Sequence, residues 1–441
     1  MRYAFLLAVG TFALGVNAYV MAGLLPVISE DLDVTLATAG QLVTVFTLCY
    51  AIAGPVFATV FSGKSTKVIL AGALVVFILA NVLGAVASSL PVLMVTRAIV
   101  GVGAGLYSPV ASAAAVALAP PDRSGRALAI VLGGLSTGTV IGVPIGLLLA
   151  QQAGWRGTLW LVSGLGVVAL AGVVGLLPSA PVTAQPTLRE RATVLADRRV
   201  AGIVAVSFIA ALAGLGLYTY LAPVLDAAGG IVDPTLYLWA WGAGCIVGSF
   251  GVGILIDRVG RSALLISVIL IATAGTFVAI PLLASRHLLV MVPLVIWGIL
   301  GFATPVPQQH RLIGIRPEHG AIVVALNASA IYLGSAVGAA LGGLVLALGI
   351  AAPSLAYLAA ALTVLAWLLH LATKGPGRPG ARRRAARHIV PSTEGLSGHP
   401  GRPTRPLYIT PSGAARPRLD AVGSAARPDT PGRRSVRFLS M

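Results

Sequence analysis

Arg97 stands well inside an otherwise apolar stretch, and no acid in the chain is placed to answer it. Between residues 1 and 373 the carboxylates are Glu30, Asp31, Asp33, Asp122, Glu190, Asp197, Asp226, Asp233, Asp257 and Glu318. None falls near the middle of an apolar run, and only Asp226 lies just at the end of one. A proton relay inside a membrane needs a buried group whose protonation competes with another ligand, and the obvious carboxylate for that work is missing. The guanidinium is therefore expected to bond backbone carbonyls, Asn or Gln side chains, or a bound solute. The plainer alternative is that it snorkels to the surface near Pro91.

The other reactive side chains point to no catalysis. Cys49 and Cys245 lie in apolar runs far apart, with no metal or redox spacing, which suits packing. The six histidines, His310 and His319 among them, show no metal-ligand spacing. Gly63-Lys64-Ser65 lacks the upstream glycine loop of a phosphate site. No enzyme chemistry, cofactor or metal is expected. What remains is a set of neutral polar and aromatic residues inside apolar runs: Asn17, Tyr19, Tyr50, Asn81, Tyr107, Tyr218, Tyr220, Trp297, Gln308, Gln309, Asn327 and Tyr332. Hydroxyl, amide and ring groups together make a cavity for an uncharged or weakly amphipathic solute. For any one of them, ordinary bonding between helices or anchoring at an interface is the competing reading.

The elements that must position these residues follow from composition. Of 441 residues 57% are hydrophobic and only 10% charged, with a mean hydropathy of +0.94. A soluble protein carries about 25% charged residues, so a cytosolic enzyme, a disordered regulator and a secreted disulfide scaffold are excluded. A helix crossing the hydrocarbon needs about 20 apolar residues. Such runs occur at 3–28, 39–61, 68–88, 91–118, 127–150 and 157–178, then at 200–225, 235–256, 263–284, 287–308, 320–348 and 351–373. The expectation is an all-α membrane protein of twelve transmembrane helices in two sets of six, because backbone groups in lipid must be satisfied within the segment. The first run starts like a signal peptide, but its apolar character continues to Ile28, which marks a retained span.

Lys64, Lys67, Arg123, Arg126, Arg189, Arg191, Arg198, Arg199, Arg258, Arg261, Arg311 and Arg316 fall on the side of the N-terminus, against Arg156 and Arg286 opposite. Both termini and the 179–199 connector are therefore expected in the cytoplasm. The net charge of +17 resides mainly in the tail, which from Lys374 onward holds 14 of the 30 basic residues. It is not a nucleic-acid signature of the folded part. The domain reading is 1–178 and 200–373 as six-helix bundles, 179–199 as connector, and 374–441 as a disordered basic tail. Arg382, Arg383, Arg384 and Arg387 there could meet anionic lipid, or the tail is simply solvated.

The halves echo each other at an offset of 194: Gly54, Gly63, Lys64 and Lys67 align with Gly248, Asp257, Arg258 and Arg261. In the second copy, Gly253 to Arg261, glycine allows close approach, Asp257 can bond neighbouring helix ends, and Arg258 and Arg261 flank Gly260 in the loop. Glycines also recur every four residues at Gly134, Gly138, Gly142 and Gly146, and at Gly334, Gly338 and Gly342, which makes smooth stripes for helix packing.

The segment Gly253–Arg261 resembles the loop motif of the major facilitator superfamily. Arg97 with Gly101, Gly103 and Gly105 resembles that family's arginine-glycine motif. Gly138-Thr-Val-Ile-Gly142-Val-Pro144-Ile-Gly146 resembles its antiporter motif, with Gly142-Val-Pro144 where the family has Gly-Pro. Ala22–Pro26, Gly154-Trp155-Arg156, Tyr218–Pro223, Pro307–Arg311 and Leu326–Gly334 resemble bacterial twelve-span drug:proton antiporters of the arabinose-efflux and chloramphenicol-resistance type. The resemblance covers about residues 3–373. It implies a bacterial cell-membrane transporter, a monomer, with a small-molecule substrate, protons as a coupling partner and no nucleic-acid partner. It places Arg97, Gly101, Gly138, Gly142, Pro144, Asp257, Arg258, Gly260 and Arg261 in the transport cycle, and it favours Asn17, Tyr220 and Asn327 as cavity residues. The first span departs from the pattern, since relatives often carry an acid near Asn17 or Ala18.

Overall fold

A chain this apolar satisfies its backbone in helices, and the computed structural model shows regular elements that are all helical among the described residues, 1–60, 64–120, 123–178, 187–259 and 261–373. In order these are α1 (Arg2–Asp31), α2 (Leu36–Val60), α3 (Thr66–Ala85), α4 (Leu90–Ala117), α5 (Ser124–Thr137) and α6 (Val143–Leu176). Then come α7 (Leu188–Leu195), α8 (Arg198–Thr219), α9 (Leu221–Gly229), α10 (Thr235–Val259) and α11 (Ser262–Leu283). The last are α12 (Met291–Ala303), α13 (Pro305–Ile315), α14 (Gly320–Ala347) and α15 (Ser354–Ala372). Met1–Gly377 forms one unit. The expected disorder of 374–441, and Gly63, Asp122 and Gly260, lie outside the described residues, as do the side chains of Asp257 and Arg258.

Among the described residues ten segments are long and apolar enough to cross a membrane. One of them, Ser124–Leu176, runs 53 residues, or about 80 Å if straight at roughly 1.5 Å per residue, far more than a bilayer. Gly154, with φ 70° and ψ 170°, turns the chain inside it and separates the runs expected at 127–150 and 157–178. Only glycine adopts that conformation readily. The 25-residue α10 is a further apolar helix beyond those ten. Two expected spans are bent: 200–225 breaks at Tyr220 between α8 and α9, and 287–308 divides at Thr304 and runs on to Ile315. That last extension carries the polar run Gln308 to Arg311, with Pro305 in the first turn, where its missing N–H has no cost.

The glycine rows set how closely the helices meet. A Cβ at Gly134, Gly138, Gly142 or Gly146 would come within 3 Å of Ala8, Phe12, Val16 or Val20. Each partner is one turn of α1 beyond the last, so the two helices run parallel with backbones in contact. The second half repeats the arrangement: Gly334, Gly338 and Gly342 meet Phe208, Leu212 and Tyr220. Gly54 rests on Gly105 as Gly248 rests on Ile299. The pseudo-symmetry is thus visible in helix contacts as well as in loop residues. Between α5 and α6 the stripe widens into a π turn, Gly138–Gly142. Pro144, which has no N–H to donate back toward Val140, explains why the regular ladder fails there.

Call the end of the bundle near Met1 the starting face and the opposite end the far face. Toward the far face one apolar core joins both halves, from Val20, Leu24, Leu42 and Val143 to Leu217, Val224, Trp241 and Leu294. Toward the starting face the fully buried clusters belong to one half or the other. The halves therefore share one core toward the far face, and toward the starting face they meet where Tyr332 of α14 packs on the first-half cluster.

Gly138→Leu is expected to destabilise the protein by about 3 kcal/mol, read as loss of monodisperse protein on size-exclusion chromatography in detergent. Gly133→Ala, whose added Cβ meets nothing within 4 Å, should leave the elution profile unchanged; equal behaviour of the two variants would remove the close-approach role.

Candidate functional site

Below the far-face seal lies a hollow of about 340 Å³ of atom-free space, lined by Ala18, Tyr19, Ala22, Val43, Thr47, Leu215, Tyr218, Thr219, Tyr332 and Ser335. Its walls come from α1, α2, α8 and α14, two helices from each half. The lining holds rings, hydroxyls and small apolar groups, and no charged side chain. The volume open to the centre of a water molecule is about 20 Å³, room for about one water. In this conformation the walls hold no drug-sized molecule without moving apart.

Aromatic rings close the hollow unequally. On the far side Tyr218 lies 4.4 Å, ring centroid to centroid, from Trp241 and 5.6 Å from Tyr19, with Phe302 and Trp297 beyond. The Tyr218 hydroxyl donates to Tyr19 O at 3.3 Å, joining α8 to α1. Farther out, Gln151 Nε2 donates to Asp233 Oδ2 at 3.3 Å between the halves. On the starting side a single stacked pair bridges α2 and α14: Tyr50 and Tyr332, with centroids 3.8 Å apart and planes 27° from parallel. Tyr50 is one turn from Thr47 and Tyr332 one turn from Ser335, so the stack forms the hollow's starting-side floor. Among the described residues Tyr19, Tyr218, Trp241, Trp297 and Phe302 form one connected group of rings, and Tyr50 and Tyr332 form a separate stack.

Of the expected cavity residues, Tyr19, Tyr218 and Tyr332 line the hollow together. Asn17, Tyr220, Gln308 and Asn327 are not among its lining residues, though all four are fully buried. Helix geometry accounts for two of these: residues two apart on a helix point about 200° apart, so Asn17 faces away from Tyr19's side of α1. The chain also breaks at Tyr220, which separates it from Tyr218. Tyr220 instead packs against Gly40 and Gly342, and its hydroxyl donates to Ala339 O at 2.8 Å. All four amide atoms of Gln308 and Asn327 lack a partner among the described residues. They lie one turn beyond Leu312 and Val323, which share a separate cluster in the second half. Trp241 is a residue the sequence reading missed. No sequence signal singled it out, since Thr47, which the 194-residue offset maps onto it, is placed on the wall only by the structure. Its buried Nε1–H has no acceptor among the described residues.

Arg97 is 1% exposed and does not snorkel. Nη1 donates to Asn17 Oδ1 at 2.9 Å and Nη2 approaches Asn17 O at 3.5 Å. The guanidinium carbon stands 4.4 Å from the centre of the Phe46 ring, a cation–π contact. An arginine at mid-span costs about 2.5–3.5 kcal/mol on insertion scales, and one amide and one ring offset only part of that. Gly101 lies against Phe46 O, which lets α4 approach α2 and seat Arg97 between α1 and α2.

Far from this centre, Gly154-Trp155-Arg156 has a clear packing role. Arg156 Nη1 meets Asp31 Oδ2 at 2.7 Å, Trp155 Nε1 donates to the same oxygen at 3.1 Å, and Arg156 Nη2 donates to Ala87 O at 3.0 Å. One carboxylate thereby ties the end of α1 to the turn in α6, and the arginine adds the α3–α4 loop. At the starting face Asp197 caps α8 and meets Arg316 at 2.9 Å. The Arg199 N–H first, and then Arg316, hold its carboxyl below the usual carboxylate range. Arg261 is exposed at the start of α11.

A family model described as Major Facilitator Superfamily matches residues 7–314. The chain belongs to the major facilitator superfamily. It is 29% identical over 365 residues to the inner membrane transport protein YdhP of Escherichia coli K12, covering 82% of this chain and 93% of that one. It is 32% identical over 305 residues to a chloramphenicol resistance protein of Streptomyces lividans, covering 68% of this chain and 77% of that one. The crystal structure of the nucleoside transporter NupG shares the fold, with a TM-score of 0.68 at 11% identity over 85% of this chain and all of that one. The protein is thus a multi-pass membrane transporter of the superfamily.

If the Tyr50–Tyr332 stack is the hollow's floor, removing one ring exposes the wall above it. In a Cys49→Ser, Cys245→Ser background carrying Ser335→Cys, Tyr50→Ala should speed thiol labelling at position 335 severalfold. An unchanged labelling rate would reduce the stack to ordinary packing.

Proposed function

We propose that this protein exports a small, mostly neutral organic compound of the drug or antibiotic kind by alternating access. The observation that carries this reading is the hollow's lining of rings and hydroxyls without a charged side chain, placed where the two halves meet. A strongly charged solute would need a buried countercharge on that wall. The relatedness to a chloramphenicol resistance protein points toward the same class of compound.

The direction follows from charge. With basic loops on the cytoplasmic side, the starting face is cytoplasmic, both termini lie inside, and the protein acts as a monomer in a bacterial cell membrane. The state described above is then closed to the outside, with the Tyr50–Tyr332 stack between the hollow and the cytoplasm. Solute enters past that stack, and the far seal opens for release as the bundles 1–178 and 200–373 rock, while the glycine stripes, which pack α1 on α5–α6 and α8 on α14 within each half, keep each bundle together. Proton coupling, which the family resemblance suggests, would have to work without a mid-span carboxylate, through Asp226 or a loop acid. Uncoupled export is the competing form.

A growth-inhibition panel on cells making or lacking the protein identifies the class of compound: protection against neutral aromatic antibiotics is expected, and protection confined to sugars or nucleosides would move the assignment to those. In sealed vesicles, an imposed pH gradient should drive the flux of the active compound, and a flux indifferent to the gradient removes antiport. No flux of any compound would favour a non-transporting membrane sensor. Arg97→Ala should lower the flux severalfold at unchanged membrane abundance; normal flux would make the arginine structural only.

A further inference from the structure

Arg97 and Asn17 hold more donors than the protein satisfies. The bond from Arg97 Nη1 occupies the amide oxygen of Asn17, and Nη2 reaches the Asn17 carbonyl only at 3.5 Å. Arg97 Nε and Asn17 Nδ2, both buried, find no acceptor among the described residues. Among the described residues no carboxylate lies in ion-pair reach of Arg97. Phe46 offers the charge only the face of a ring. The pair therefore presents one unmatched positive charge and two unmatched N–H groups in a region of low dielectric.

A singly charged anion answers both deficits. Hydrogen bonds from a guanidinium to an anionic acceptor are short and strong, and the side chain that faces Arg97 from α1 is a neutral amide, which supplies no countercharge. The pair lies behind the wall of the hollow, since Ala18 follows Asn17, and Val43 and Thr47 flank Phe46 on α2; Arg97, Asn17 and Phe46 are all buried, so an anion reaches the pair by displacing Phe46 or the wall. We propose that Arg97 and Asn17 form a binding site for a small monovalent anion, supplied either as a free halide or as the carboxylate of a solute. The anion supplies the countercharge, with Phe46 as the side chain that covers it.

The test is thermal unfolding of the purified full chain in detergent, at constant ionic strength, with isethionate replaced by bromide or by benzoate. The wild type should gain about 3 °C at saturating anion. Asn17→Asp, which supplies the countercharge from α1, should lose that gain, and so should Arg97→Gln. A gain with bromide and benzoate alike identifies a free-anion site, and a gain with benzoate alone identifies the carboxylate of a solute. No gain with either anion, or a gain that survives in Arg97→Gln, overturns the proposal. The readout is stability, so the result is independent of which compound is exported and of whether export occurs.

Discussion

Lipid offers no hydrogen bonds, and every level of this structure answers to that constraint. It forces the chain into helices, and it leaves their association to close packing and to a few internal polar contacts. The glycine rows of α5–α6 and α14 supply the first, bringing backbones against α1 and α8. Buried bonds such as Tyr220 to Ala339 O, Thr11 to Val131 O and Arg97 to Asn17 supply the second. Where the regular ladder fails, as at the π turn before Pro144 and at Gly154, the failure falls at a proline or a glycine, where the backbone can accommodate it.

The same constraint shapes the centre of the molecule. A charge on the wall of the hollow would be expensive in every state of a transport cycle, and the wall carries none. The guanidinium of Arg97, the most deeply buried among the described residues, is instead set behind the wall, held by an amide and a ring. The hollow can therefore change shape through sliding rings and hydroxyls without stranding an ion.

How much of this was legible beforehand depends on the range of the interaction involved. Apolar length located the helices, and the Lys and Arg asymmetry separated the two faces, because partition into lipid acts on each segment by itself. Arg97 was conspicuous for the same reason. The division at Tyr220 and the continuation to Ile315 were not legible, because the polar side chains that seem to end those spans are satisfied by neighbours distant in sequence or are turned into the bundle. Asn17, Gln308 and Asn327 illustrate the limit: their burial could be anticipated, and the direction each faces could not.

The sequence by itself determined that the chain crosses a membrane many times in two related halves, since hydropathy and repeated glycines are properties of local segments. Only the tertiary structure decided that Tyr19, Tyr218 and Tyr332 share one hollow, that Asn17 turns away from it to hold Arg97, and that Trp241 joins the far seal. Those outcomes depend on the rotation of each helix about its axis, where a single residue step turns a side chain by about 100°. That rotation is chosen by what the neighbouring helices leave open.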